Sequence, residues 1–274
     1  NLNHVFESAA KRPKINTVQN VMESITANTF NRTVPSIPSQ KDREAIFRKK
    51  SARLIQPRHM AKLINYGLSE IMLRYPNTLV FGEDVAQKGG VYNVTADLYN
   101  QFGIRRVFNS PLDETSIIGS AIGFAHNGFV PIPEIQFLAY FHNAEDQLRG
   151  EASTLSFFSE GQFMNPMVIR VPGLAYQKGF GGHFHNDNSL AVFRDIPGVI
   201  LACPSNGPDA VKMLRTAVRE AYENGRITVF VEPIALYMIR DLHKPKDGLW
   251  NFKYPDPKEE SAIGEFTEYG RGKA

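Results

Sequence analysis

The chain has a single cysteine, Cys203, among 274 residues, so an internal disulfide is excluded and a reducing compartment is expected. No run of about 18 apolar residues occurs, which argues against a membrane-spanning helix. The opening residues, Asn1 to Glu7, lack a basic stretch followed by an apolar one, so no secretory signal is expected. Neither Gly-x-Gly-x-x-Gly nor Gly-x-x-x-x-Gly-Lys-Ser/Thr is present, which removes the common phosphate-cradling loops. Cys203 itself lies in the apolar run Val199 to Pro204, a setting that predicts a buried structural thiol and not a nucleophile.

What remains is the make-up of a globular chain: 42% hydrophobic and 22% charged, at a length that buries a sizeable core. The net charge of +3 is uneven. Residues 1–58 carry 11 Lys/Arg against 4 Asp/Glu, and the remainder carries 20 against 24. A basic arm on an acidic body is one footprint of nucleic-acid binding. This arm has no interleaved aromatics and no nucleic-acid motif, so a solvated tether, or an arm docked on an acidic partner, is favoured instead.

Three stretches differ in character. Residues 1–53 form a polar, basic arm with one amphipathic piece, where Val18, Val21, Met22 and Ile25 recur at helical spacing. Thr33 to Ser39 reads as an extended linker, because Pro35 and Pro38 disfavour helix for themselves and their predecessors. Residues 54–240 form the globular body. Its apolar runs Thr78–Phe81, Val130–Ile135, Met167–Val171, Val199–Ala202 and Thr228–Val231 are short and rich in branched residues, as in strands buried on both faces. Helical stripes alternate with them: Met60, Leu63, Ile64, Leu68, Ile71 and Met72, then Ala210, Met213, Leu214, Ala217 and Ala221 after a cap-like Ser205 to Asp209. The alternation predicts an α/β fold, three-layer α/β/α with a mostly parallel sheet. Residues 241–274 are polar, with Pro245, Pro255 and Pro257, and read as a linker toward a further domain.

The richest segment for chemistry runs from Asn109 to Gly128. From Glu114 onward it reads as a helix with Gly128 as its stop. Gly119, Ser120, Ala121 and Gly123 make its surface small enough for a ligand or a second backbone to come close. A carboxylate at a helix start is explained most simply as a cap, and the residues alone favour that reading for Asp113 or Glu114. Glu134, Gln136, Phe137 and Tyr140 follow a buried strand, where open α/β sheets place ligands; for each one singly, core packing is the simpler account. Glu83 and Asp84 close another strand. In the glycine-rich loop Gly179 to Ser189, His183 and His185 lack a third ligand at a recognised spacing, so a general acid or hydrogen-bond donor is favoured over a metal site.

Taken in order, Phe81-Gly-Glu-Asp-Val-Ala86, the Pro-Leu-x-Glu ending at Glu114, Gly119-x-Ala-x-Gly123, Glu134-Ile-Gln-Phe137, Asp146-Gln147, Arg194-Asp-Ile-Pro-Gly198, Pro204-Ser205 and Phe230-x-Glu-Pro233 resemble one family. It is the beta-type, pyrimidine-binding half of the decarboxylating component of 2-oxoacid dehydrogenase complexes, and the resemblance covers roughly residues 55–240. It implies that Glu114 hydrogen-bonds N1′ of the aminopyrimidine of thiamin diphosphate. That bond favours the imino tautomer, which takes the proton from thiazolium C2; the ring then accepts the electrons left as carbon dioxide departs. It implies further that Tyr140 stacks on the pyrimidine, with Phe137 and Gln136 beside it. His185 would assist acyl transfer to lipoamide, and Glu83 would be a second acid on a proton path.

The resemblance also sets limits. The family grips the diphosphate and its magnesium through an alpha-type partner half, by a Gly-Asp-Gly and paired asparagines that this sequence lacks. A fragment of a fused alpha/beta chain is therefore expected, inactive alone, with residues 1–53 as the tether from an upstream half. The implied partners are that alpha-type half, a lipoyl acyltransferase core, a 2-oxoacid and further copies of the chain; nucleic acid and membrane are not expected. Glu134-Ile-Gln-Phe137 and the Phe184-His-Asn loop point to branched-chain 2-oxoacids, with a pyruvate or acetoin dehydrogenase component, or a scaffold without catalysis, as alternatives. The compartment implied is the cytoplasm, or the mitochondrial matrix in a eukaryote.

Overall fold

The computed structural model describes residues 1–25, 30, 32–48, 54–179 and 181–261. The closing Gly270 to Ala274 lies outside the described residues. Ten helices are described: α1 (Leu2–Ala10), α2 (Val18–Ile25), α3 (Gln40–Phe47), α4 (Met60–Arg74), α5 (Leu98–Phe102), α6 (Glu114–His126), α7 (Leu155–Phe158), α8 (Ala191–Arg194), α9 (Gly207–Asn224) and α10 (Ile234–Tyr237). The strands are β1 (Thr78–Gly82), β2 (Val107–Asn109), β3 (Val130–Glu134), β4 (Met167–Gly173), β5 (Val199–Ala202) and β6 (Ile227–Pro233). They form one six-stranded sheet in the order β2-β1-β3-β4-β6-β5, parallel at every pair.

The three-layer α/β/α architecture follows from the period-two side-chain alternation of strands covered on both sides. In β1, Val80 faces one core with α4 and α9, while Leu79 and Phe81 face the other with α6. In β4, Val168 joins the first core and Met167, Ile169 and Val171 the second. All six residues of the predicted α4 stripe are buried, as are Ala210, Leu214, Ala217 and Ala221 of α9. Asn206 caps α9 by accepting the amide of Asp209 at 2.9 Å, and Gly225 ends it at a φ of 62°.

Two differences from the sequence reading stand out. Cys203 is exposed, not buried. β5 is an edge strand whose residues alternate, with Ile200 and Ala202 turned inward and Leu201 outward, and Cys203 falls on the outward beat. Its thiol still lies against enough protein for desolvation to push its pKa up. The arm is also partly built into the body. The Phe30 amide donates to Glu223 O at 2.7 Å, and Arg74 Nε donates to Pro35 O at 3.0 Å. From the other end of the chain, Arg215 donates to the carbonyls of Asp256 and Glu259 at 2.6 and 2.9 Å. The apolar face of α2, by contrast, leaves Val18, Val21 and Met22 exposed. Among the described residues no helix is long and apolar enough to cross a membrane.

Candidate active site

The chain leaves β1 toward β2 at one edge of the sheet, then returns past β1 to β3. Strand order therefore reverses at β1, and in open parallel sheets the crevice at the carboxyl ends beside such a reversal is where ligands sit. Glu83 follows β1, Glu134 closes β3, and Glu114 begins the helix after β2. Gly82 makes the crowding possible: its φ is 152°, and a Cβ there would lie 2.6 Å from the carbonyl oxygen of Glu134. The carboxylates feel one another. Burial, and then the charges of Glu114, Asp84 and Glu134, push the Glu83 carboxyl up to about 7. Its Oε1 is buried with no hydrogen-bond partner.

At the start of α6 the two acids divide the work. Asp113 is the cap: its Oδ2 accepts the Ser116 amide at 3.3 Å and also takes the Ser116 hydroxyl. Glu114 is thereby released from capping and is only 5% exposed. Its Oε2 accepts from Asn143 Nδ2 at 3.2 Å, and Thr115 Oγ1 donates to the Asn143 carbonyl at 2.7 Å. The outer face of α6 is small, as Gly119 and Gly123 have nothing within 4 Å of where a Cβ would be.

Beyond β3 the chain lays down an aromatic wall. Phe137 is buried, with Gln136 half-buried beside it, and Tyr140 sits in the 3-10 turn Leu138–Ala144. The His185 ring meets Phe137 edge-on at 4.3 Å and Tyr140 at 5.9 Å, and Phe184 stacks on Tyr140 at 6.3 Å. His185 Nδ1 lies 3.0 Å from the Gly181 carbonyl. A carbonyl only accepts, so in the neutral ring Nδ1 carries the hydrogen and Nε2 the lone pair. Gly181 is needed here, since it has a φ of 66° and a Cβ would overlap the His185 ring. His183 is exposed and turns its ring onto Phe184 at 3.9 Å. Among the described residues no group of three or more His, Cys, Asp or Glu could hold a metal ion.

Several partners were missed in the sequence. Arg170, in the middle of β4 and wholly buried, donates Nη1 to Glu134 Oε2 at 2.5 Å. Its Nε and Nη2 donate to both oxygens of Glu232 at 2.6 and 2.9 Å, and Tyr237 gives its hydroxyl to Glu232 as well. Burial is the larger influence on Glu134 and raises its pKa against the pull of Arg170. The signal was legible: an arginine inside Met167-Val-Ile-Arg-Val171, a strand covered on both faces, needs buried carboxylates. Asn143 and Tyr92 carried no such signal.

Residues 56–238 match the family described as transketolase, pyrimidine binding domain. The chain belongs to that family. Among relatives of this pyrimidine-binding domain, the 2-oxoisovalerate dehydrogenase subunit beta of Pseudomonas aeruginosa is 34% identical over 190 residues, covering 68% of this chain and 52% of that one. The subunit of the same name from Bacillus subtilis is 39% identical over 158 residues, covering 57% and 47%. The pyruvate dehydrogenase E1 component subunit beta of Acholeplasma laidlawii is 36% identical over 179 residues, covering 65% and 53%. The chain thus spans about half the length of the curated relatives it matches. A solved structure described as a split gene transketolase, inactive beta4 tetramer, shares the fold, with a TM-score of 0.50 at 17% identity, covering 68% of this chain and 54% of that one.

The domain is thus of the beta type that the motif order resembled. Near the carboxyl ends of β1 and β3 lie Glu114, a buried carboxylate released from capping and close enough to raise the Glu83 pKa, the unpartnered Glu83 Oε1, and the rings of Phe137, Tyr140 and His185.

Proposed function

We propose that this chain supplies the aminopyrimidine half of a thiamin-diphosphate site for oxidative decarboxylation of a 2-oxoacid, with acyl transfer to a lipoyl group. The observation that supports this reading is the release of Glu114: Asp113 caps α6, and the buried Glu114 carboxylate lies near enough to Glu83, just after β1, to raise its pKa. When bound, thiamin diphosphate supplies the electron sink that lets carbon dioxide leave.

The chain's own residues have simpler tasks. Glu114 holds N1′ of the pyrimidine by a hydrogen bond through its carboxyl group. Phe137 and Tyr140 lie against the ring, a contact of roughly 1 kcal/mol beyond burial, and Gln136 lines the rim. Glu83, with a carboxyl pushed up to about 7, is suited to hold or release a proton at neutral pH. His185, its Nδ1 beside the Gly181 carbonyl and its ring against Phe137, would assist acyl transfer to the lipoyl group.

The diphosphate and its magnesium belong to an alpha-type partner half in this reading, and the lipoyl group to an acyltransferase core, in an oligomer holding more than one copy. Branched-chain 2-oxoacids are the preferred substrates, supported by Glu134-Ile-Gln-Phe137 and by relatives named for 2-oxoisovalerate, although others are named for pyruvate. Calorimetric titration of thiamin diphosphate with magnesium into the full chain, with and without a complementary diphosphate-binding half, tests the proposal. Binding that needs the partner and weakens in Glu114→Ala is the expected result. Tight binding to the chain alone would contradict the half-site, and none in either case would leave only the fold.

A further inference from the structure

The segment from Leu174 to Ser189 carries His185, yet its backbone is not one its sequence favours unaided. Leu174 and Tyr176 sit at φ of 52° and 50°, a region costly for residues with a Cβ. Side chains must hold it there. The Gln177 amide donates to Asn186 Oδ1 at 2.5 Å, and Asn186 Nδ2 donates to Gly182 O at 2.7 Å, drawing the limbs of the loop together around His185. The Leu174 amide closes the base by donating to Asp187 O at 3.1 Å.

Beyond the ring contacts of Phe184 and His185 and the Ala235 amide that donates to Leu174 O at 3.3 Å, a side-chain hydrogen bond ties the loop to the segment after β1. Gln177 Nε2 donates to the hydroxyl oxygen of Tyr92 at 3.0 Å. Tyr92 belongs to the segment after β1, which also carries Glu83. Its ring meets Phe137 at 6.3 Å and Tyr237 at 5.3 Å, and the Tyr237 hydroxyl donates to Glu232 of the buried triad. Tyr92 is therefore fixed by its ring to Phe137 after β3 and Tyr237 of α10, and by its hydroxyl to the histidine loop. Nothing in the family resemblance assigns either Tyr92 or Gln177 a role.

We propose that Tyr92 and Gln177 are positioning residues whose hydrogen bond latches the histidine loop to the segment after β1 and holds His185 against Phe137. The consequence for acyl transfer rests on the function proposed above; the latch itself rests only on these contacts. The hydroxyl is separable from the ring, which makes Tyr92→Phe the cleanest variant, because it keeps the packing on Phe137 and Tyr237. Gln177→Leu removes the same bond from the other side.

The test uses the full chain assembled with its diphosphate-binding partner, in wild type, Tyr92→Phe, Gln177→Leu and the double variant. Hydrogen exchange of residues 174–189 should quicken about five-fold in each single variant, as expected for one neutral hydrogen bond, and no further in the double. Turnover to a lipoyl domain should fall by about the same factor while turnover to an artificial electron acceptor, which bypasses acyl transfer, holds. Unchanged exchange in both single variants, or additive losses in the double, would overturn the latch. An equal fall in both turnover rates would overturn His185 as what it positions. If wild type turns over no 2-oxoacid, the proposed function fails, and exchange alone then decides the latch. A Tyr92→Phe chain that did not fold would leave Gln177→Leu to decide.

Discussion

The carboxylate of Asp113 accepts the Ser116 amide at 3.3 Å, and that of its neighbour Glu114 accepts from Asn143, 29 residues along the chain, at 3.2 Å. Adjacent acids of the same charge thus serve the helix and the crevice separately. Asp113→Ala should cost about 1 kcal/mol of stability, the usual worth of an N-cap, and leave thiamin diphosphate affinity in place. Glu114→Gln should do the reverse, holding the urea midpoint while weakening cofactor binding. Equal losses of stability in the two variants would mean that both acids serve the helix.

The Glu83 carboxyl, pushed up to about 7 from an ordinary 4.5, gives a pH dependence of definite sign. The folded state holds this proton more tightly than the unfolded one, so the group weakens folding progressively as pH rises from about 4.5 to about 7. Glu83→Gln removes that penalty. The variant and wild type should melt alike near pH 4, below the unfolded pKa, with the variant melting higher near pH 8. A gap constant with pH would show that Glu83 ionises as an ordinary surface acid, and one of the opposite sign that the fold favours its charged form.

Arg170 stands between two carboxylates with no access to water. Removing it strands both charges. Arg170→Met should destabilise the chain by roughly 3–5 kcal/mol, read from a denaturant midpoint. Adding Glu134→Gln and Glu232→Gln to that variant should recover part of the loss, because the stranded charges go with them. Failure to recover any would place the cost in packing and not in charge.

Cys203 is exposed, yet desolvation raises its pKa. The thiolate is the nucleophile, so alkylation by iodoacetamide at pH 7.5 should be slower than that of a small free thiol. Faster labelling would indicate a cationic surrounding that the described residues lack.

The fold was legible where burial acts on both faces of a strand. Val130–Ile135 and Thr228–Val231 read as near-continuous apolar runs and mark the strands Val130–Glu134 and Ile227–Pro233, and Met60 to Met72 read as a helix by its stripe. β2 escaped notice because three residues, Val107–Asn109, are too few to show a period. α3 escaped for a different reason: its capping box, Ser39 with Asp42, was present in a stretch dominated by the prolines before it. At the site, Glu114, Phe137, Tyr140 and His185 drew attention by residue type and motif order. Asn143 and Tyr92 did not, because a hydrogen bond spanning 29 or 85 residues leaves no trace in local spacing.

Strands β3 and β4 share one register pair, Glu134 with Arg170. The sheet is thus two three-stranded ladders joined along a seam, and the side-chain rivet in that seam is ionic. A slip of one residue between the halves would turn Arg170 to the opposite face and part it from Glu134, so alignment across the seam is written in charge as well as in the backbone bond from the Ile135 amide to Arg170 O at 3.0 Å. Anyone transplanting one ladder into another protein would have to carry both ends of the rivet, or accept a sheet whose halves can slide.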